Sequence, residues 1–303
     1  MTFVEKLLGA ARKSQSWLCV GLDPDISRIP EGLGHNVDGI LKFNLGVIES
    51  TSDLVCAYKP NSAFYECLGT KGWEILIETV KAVPDDIPVI LDFKRGDIGN
   101  TAAMYARAAF EIVGADAVTV NPLLGTDSLR PFLDYKDRGI FILCLTSNPS
   151  SSEFQKKIVM LDNPPSVERM TPKAKAKTFA EFFNVSTSEL YLLIASSVPQ
   201  WNQNGNVGLV VGATAADELG AVRKTVGDAI PILIPGAGAQ GGDLETSVDV
   251  GSNASAEMAI INLSRGIIYA GEGTDFQEGI RAAALQYRDR IKAAIDKKVG
   301  FSS

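Results

Sequence analysis

Pro88-Val89-Ile90-Leu91-Asp92-Phe93-Lys94-Arg95-Gly96-Asp97 begins as an apolar, β-rich run and ends in a cluster of charge. A short and nearly continuous apolar run suits a parallel strand covered on both sides, because a half-solvated strand would alternate. The charges then mark the end of the strand. Asp92 and Lys94 are two residues apart, so a regular strand turns both to the same side. Leu91 and Phe93 turn the other way and suit a wall packed by helices, which leaves Asp92 and Lys94 facing inward.

Working outward, comparable runs occupy 18–23, 54–59, 117–121, 140–146, 207–212, 230–235 and 259–264, with plausible helices between them. Strands alternating with helices imply βαβ units, and eight such units imply a closed α/β barrel of the (β/α)8, or TIM, type. The expectation is one domain spanning 1–303. Thr2 and Glu5 form a capping box for a first helix over 2–13. Asn100 or Thr101 can cap a helix through Phe110 that Gly114 closes. A last amphipathic helix covers about 276–297. Residues 147–203 form an enlarged crossover, about twice the usual length. Its polar, proline-containing part, 147–177, is expected to be a mobile insertion, with a solvated lysine run at 173–177 and a helix near 188–197.

Composition narrows the function. The chain has 303 residues and a net charge of -7, and no basic stretch alternates with aromatics, so nucleic acid is excluded as an expected partner. The N-terminus does not have the form of a signal peptide, and no apolar run approaches the length of a membrane span. Cys19, Cys56, Cys67 and Cys144 form no C-x-x-C pair, which points to free thiols in a reducing, cytoplasmic setting. The one histidine, His35, falls in a glycine-rich loop. Ser-His-Asp chemistry and histidine-bound zinc are poor fits, so the chemistry must run on Asp, Glu, Lys and Arg.

Barrels of this kind carry function at the C-terminal ends of their strands. Those ends are Asp23, Lys59, Asp92 with Lys94, Asn121, Thr146, Gly212, Pro235, and Ser264 with Arg265. Any one could be a solvated loop start, but together they bring two lysines and several carboxylates to one rim. A lysine between carboxylates stays protonated, which suits a proton donor or a clamp on a developing anion. A structural ion pair is the alternative. After the seventh strand, Pro235-Gly236-Ala237-Gly238-Ala239-Gln240-Gly241-Gly242-Asp243 matches the G-x-G-x-x-G pattern. Too little chain follows for a dinucleotide domain. The better expectation is a loop whose backbone N–H groups bind phosphate, with Arg265 as a second grip.

The stretch Asp92 to Thr101 resembles the D-x-K-R-x-D-I-x-x-T signature of orotidine 5'-phosphate decarboxylases. Gly21-Leu22-Asp23-Pro24-Asp25, Tyr58-Lys59-Pro60-Asn61, Leu145-Thr146-Ser147-Asn148-Pro149 and Asn262-Leu263-Ser264-Arg265 resemble further segments of that family in the same order. The long form is similar to the larger bacterial-type branch, although 150–177 matches no family motif. The resemblance implies decarboxylation of orotidine 5'-monophosphate to uridine 5'-monophosphate, in pyrimidine synthesis, with no metal or organic cofactor. It implies catalytic roles for Lys94, Asp92, Asp97 and Lys59. Substrate contacts would come from Asp23, Thr101, Ser147, Pro235, Gly236, Gly238, Gln240 and Arg265. Asp97 and Thr101 would reach a neighbouring subunit's site, making a homodimer. The alternatives are a magnesium-dependent sugar-phosphate decarboxylase or synthase of the same superfamily, and a non-catalytic phosphate-binding barrel.

Overall fold

A computed structural model describes residues 1–161, 187–238 and 242–300. Eight parallel strands form the sheet: β1 (Leu18–Leu22), β2 (Ala57–Pro60), β3 (Ile90–Arg95), β4 (Ala117–Val120), β5 (Gly139–Leu145), β6 (Val207–Val211), β7 (Ile232–Pro235) and β8 (Ala259–Leu263). Their order around the ring is β2-β1-β8-β7-β6-β5-β4-β3. The ends of that series meet through isolated parallel bridges, Tyr58 with Val89 and Asn61 with Asp92. The α/β barrel expected from the strand count is therefore the observed fold.

Every expected strand is present, but some starts move. β2 begins at Ala57, with Leu54, Val55 and Cys56 buried ahead of it and the Cys56 amide donating to the Leu18 carbonyl at 2.8 Å. β3 and β7 begin only after Pro88 and Pro231, which have no N–H to give a neighbouring strand. Away from their C-terminal ends the strands are mainly apolar, because helices cover them outside and side chains fill them inside. Phe93 illustrates the wall, packing edge-on against Phe132 at 6.2 Å between ring centres. At the N-terminal rim, the buried Arg223 donates to the carbonyls of Gly227, Ile230, Gly251 and Met258. Those four bonds tie the segments entering β7 and β8 together.

The first helix, Phe3–Ser14, carries the expected capping box between Thr2 and Glu5. The last helix, Phe276–Gly300, runs slightly further than expected. One cap is corrected. Helix Gly99–Arg107 starts after Ile98, so neither Asn100 nor Thr101 is its N-cap, and no side chain caps it. Gly99 supplies the turn with φ 36° instead, and the Asp97 carboxylate accepts from the Ile98 amide at 2.7 Å. The helix widens into a π turn over Ala108–Val113, which Gly114 ends in the left-handed conformation as expected.

Of the enlarged crossover, the described parts are a turn at Pro149–Glu153, an antiparallel ribbon pairing Ile158–Met160 with Thr187–Glu189, and a helix at Leu190–Ser196. That helix matches the one expected near 188–197. The lysine run at 173–177 lies outside the described residues, as does most of the stretch expected to be mobile.

Candidate active site

The C-terminal ends of the strands open into one cleft of about 540 Å3. At its floor Asp92 is held by three groups. Lys59 donates to Oδ2 at 2.9 Å, while Lys94 and the Thr119 hydroxyl donate to Oδ1 at 2.6 and 2.8 Å. The side chains of Lys59 and Asp92 are 5% and 10% exposed, and that of Lys94 is 45% exposed. One ammonium is thus locked inside the barrel and the other faces the cleft.

Local backbone produces this difference. The register between β3 and β4 slips between Leu91 and Arg95, and Lys94 has a left-handed φ of 47°. A bulge of this kind re-aims a side chain at a barrel rim. A non-glycine residue at positive φ is strained and is held only by its surroundings. Here the Thr119 hydroxyl accepts the Lys94 amide at 3.0 Å while donating to Asp92. Lys94 therefore reaches the cleft from a distorted strand end, not by simple alternation.

The electrostatics follow from burial and pairing. Burial alone would raise the Asp92 carboxyl, but Lys59 and Lys94 outweigh it and hold the group well below the usual carboxylate range. Burial alone would pull Lys59 down, but Asp92 and Asp23 hold its ammonium above the ordinary lysine value. Next to Lys59, burial pushes the Cys19 thiol up to about 12, so it acts as a neutral packing group. The floor is a fixed plus-minus-plus array, buried at Lys59 and Asp92 and open to the cleft at Lys94.

Of the residues expected at the site, Asp23, Lys59, Asp92, Lys94, Ser147, Pro235, Gly236 and Arg265 line the cleft. Asp23 accepts the Asn61 amide at 3.1 Å. Arg265 is exposed, and among the described residues no carboxylate pairs with it. Gly238, with φ 85°, is not among the lining residues, and Gln240 lies outside the described residues. Asp97 and Thr101 fall outside their own cleft, on the loop and helix after β3. Asn121 and Gly212 also stay out of it. Asn121 instead accepts the Leu123 amide through its side chain, and Gly212 leaves room for Ser147, which a Cβ there would meet at 2.8 Å.

Ser264, expected as a strand end, lines the cleft, and so do three residues given no role in advance: Thr119, Asn262 and Tyr287. Asn262 is buried, and its Oδ1 lies 3.6 Å from Cys19 Sγ. The Ser264 hydroxyl is buried with no hydrogen-bond partner among the described residues. Arg95, part of the charged signature, points away from the cleft. It pairs with Glu66 and lies over the Tyr105 ring, so its role is in the wall. Among the described residues there is no group of three or more His, Cys, Asp or Glu able to hold a metal ion, and no helix is long and apolar enough to cross a membrane.

Known proteins share this architecture along nearly the whole chain. Residues 16–275 match the orotidine 5'-phosphate decarboxylase / HUMPS family. The chain is 47% identical over 291 residues to the orotidine 5'-phosphate decarboxylase of Dehalococcoides mccartyi, covering 96% of this chain and 97% of that protein. It is 45% identical to the corresponding protein of a Roseiflexus species, covering 97% and 99%. Among solved structures it is similar to the OMP decarboxylase of Leishmania donovani, with 36% identity, a TM-score of 0.78, and 97% and 99% of the two chains covered. The chain thus belongs to the orotidine 5'-phosphate decarboxylase / HUMPS family.

Proposed function

We propose that the chain decarboxylates orotidine 5'-monophosphate to uridine 5'-monophosphate using only its own side chains. The observation that carries this is the Asp92 carboxylate fixed between two ammonium groups, at 2.9 and 2.6 Å, in a cleft whose rim also carries Arg265, which pairs with no carboxylate among the described residues. In the reaction the bond between C6 and the carboxylate carbon breaks, carbon dioxide leaves, and its electron pair stays on C6. No conjugated sink receives that pair, so stabilisation must come from preorganised charge. Lys94 is the group for this task. Its ammonium attracts the developing carbanion and then delivers a proton to C6. Its partly exposed position allows water to restore that proton. Asp92, itself fixed by Lys59, holds the Lys94 ammonium aimed. Arg265 and the loop 236–243 grip the phosphate, converting binding energy from a remote group into alignment at C6. Asp23 and Ser147 contact the ribose and the pyrimidine edge.

The active form is a homodimer in the cytoplasm, with Asp97 and Thr101 entering the partner's site. Two facts support a shared interface. Asp97 makes no side-chain ion pair among the described residues. The surrounding surface exposes large apolar groups, with Ile98 65%, Met104 58% and Leu123 69% accessible.

The test is to add orotidine 5'-monophosphate and follow its ultraviolet absorbance, with and without a chelator. Turnover should persist in excess chelator and vanish in Lys94→Ala. Loss of turnover in chelator, restored by magnesium, would favour a sugar-phosphate enzyme of the same family instead. No turnover by the wild-type protein under any condition would leave a phosphate-binding barrel.

A further inference from the structure

The C-terminal helix Phe276–Gly300 sends one side chain into the cleft, Tyr287, near Pro235, Gly236, Arg265 and Gly266. Its hydroxyl lies between the loops after β7 and β8. A Cβ placed on Gly266 would stand 3.1 Å from that oxygen, and one on Gly238 would stand 3.6 Å away. Gly238 has φ 85°, so its backbone already favours glycine. Gly266 has no left-handed φ, and the room left for the phenol is the visible use of its missing side chain. The ring is braced from its own helix. The Arg290 guanidinium carbon lies 5.8 Å from the ring centre, and Arg290 is itself forked onto Glu245 at 2.8 and 2.9 Å. Among the described residues the hydroxyl makes no hydrogen bond, although it is framed closely on two sides.

A braced phenol O–H with no acceptor among the described residues, beside an arginine with no carboxylate among them, is matched by a ligand carrying several anionic oxygens. We propose that Tyr287 donates a hydrogen bond to a phosphate oxygen of the bound nucleotide, as a third arm of the grip formed by Arg265 and the loop after β7. This rests on the decarboxylase reading for the identity of the anion. It places the last helix of the chain in substrate recognition, a role that no motif in the sequence suggested.

The test compares Tyr287→Phe with the wild type for binding of uridine 5'-monophosphate and of uridine, by calorimetry. A hydrogen bond to a charged acceptor corresponds to a loss of about ten- to a hundredfold in affinity for the phosphorylated ligand, with uridine binding unchanged. Gly266→Ala crowds the same oxygen, so it should weaken nucleotide binding in the wild type and add little in the Tyr287→Phe background. An equal loss for both ligands, or none for the nucleotide, would overturn the inference. If Tyr287→Phe keeps the full preference while the wild type turns over orotidine 5'-monophosphate, only the tyrosine assignment falls. If the wild type itself does not distinguish the nucleotide from uridine, the phosphate site falls and the tyrosine assignment with it.

Discussion

Replacing Thr119 by valine keeps the shape of the side chain and removes one oxygen. That oxygen donates to Asp92 at 2.8 Å and accepts the amide of the strained Lys94 at 3.0 Å. A hydrogen bond to a charged group contributes about 1.5–3 kcal/mol, while Asp92 keeps both ammonium partners, which favours the lower half of that range. At about 1.4 kcal/mol per factor of ten, kcat/KM for orotidine 5'-monophosphate should fall roughly ten- to fortyfold. The loss should appear mainly in kcat, since Arg265, the proposed phosphate grip, follows a different strand. Thr119→Ser, which restores the oxygen, should recover most of it. The assay is steady-state decarboxylation beside a thermal melt of each variant. Activity in Thr119→Val within twofold of the wild type, or a loss confined to KM, would refute the idea that Thr119 positions the charged array.

Arg265→Ala should lower kcat/KM about a hundredfold or more, because a charge-assisted grip on phosphate is lost; orotidine without its phosphate, assayed in parallel, should be unaffected. Lys94→Ala and Asp97→Ala should each be nearly inactive alone, yet mixing them under conditions of subunit exchange should restore roughly a quarter of wild-type sites. No rescue despite exchange proven by a tagged pull-down would assign Asp97 to its own barrel. The pH dependence of stability has a definite sign. Asp92 is lowered in the fold, so its contribution is present above the unfolded carboxyl value near about 3.9 and is lost as pH falls further. Lys59 is raised, so its contribution is present below about 10.4 and is lost as pH rises through its folded value. Urea titrations should find no loss of stability from this pair between about pH 5 and 10. A step in that window that disappears in Lys59→Met would contradict the pairing.

The barrel and its charged floor are legible in the sequence for a physical reason. Buried parallel strands must be apolar, so a lysine or aspartate ending such a run stands out, as Lys59, Asp92 and Lys94 do. Arg265 is legible in the same way. Thr119 is not, because threonine is an ordinary strand former and Ala117-Val118-Thr119-Val120 is buried on both faces, hiding which side chain turns inward. Tyr287 is hidden differently. It belongs to a helix far along the chain, and only the closed ring brings it to the rim. The bulge at Lys94 leaves no mark in the pattern of residues, and the displaced helix cap follows from the Gly99 turn, which propensity alone ranks below Asn100 or Thr101.

The β2–β3 seam has a wider consequence. Of the residues lining the cleft, Asp23, Lys59, Asp92, Lys94 and Thr119 come from the first half of the ring, β1 to β4, while Ser147, Pro235, Gly236 and Arg265 follow strands of the second and Tyr287 stands on the last helix. The seam, closed by isolated bridges, lies inside the first half, and the Lys59–Asp92 ion pair crosses it like a stitch. On the proposed assignment of roles, chemistry and handle are separate modules of one ring. A change of handle, from phosphate to another anion, can be written into β7, β8 and the last helix without touching the charges that break the bond.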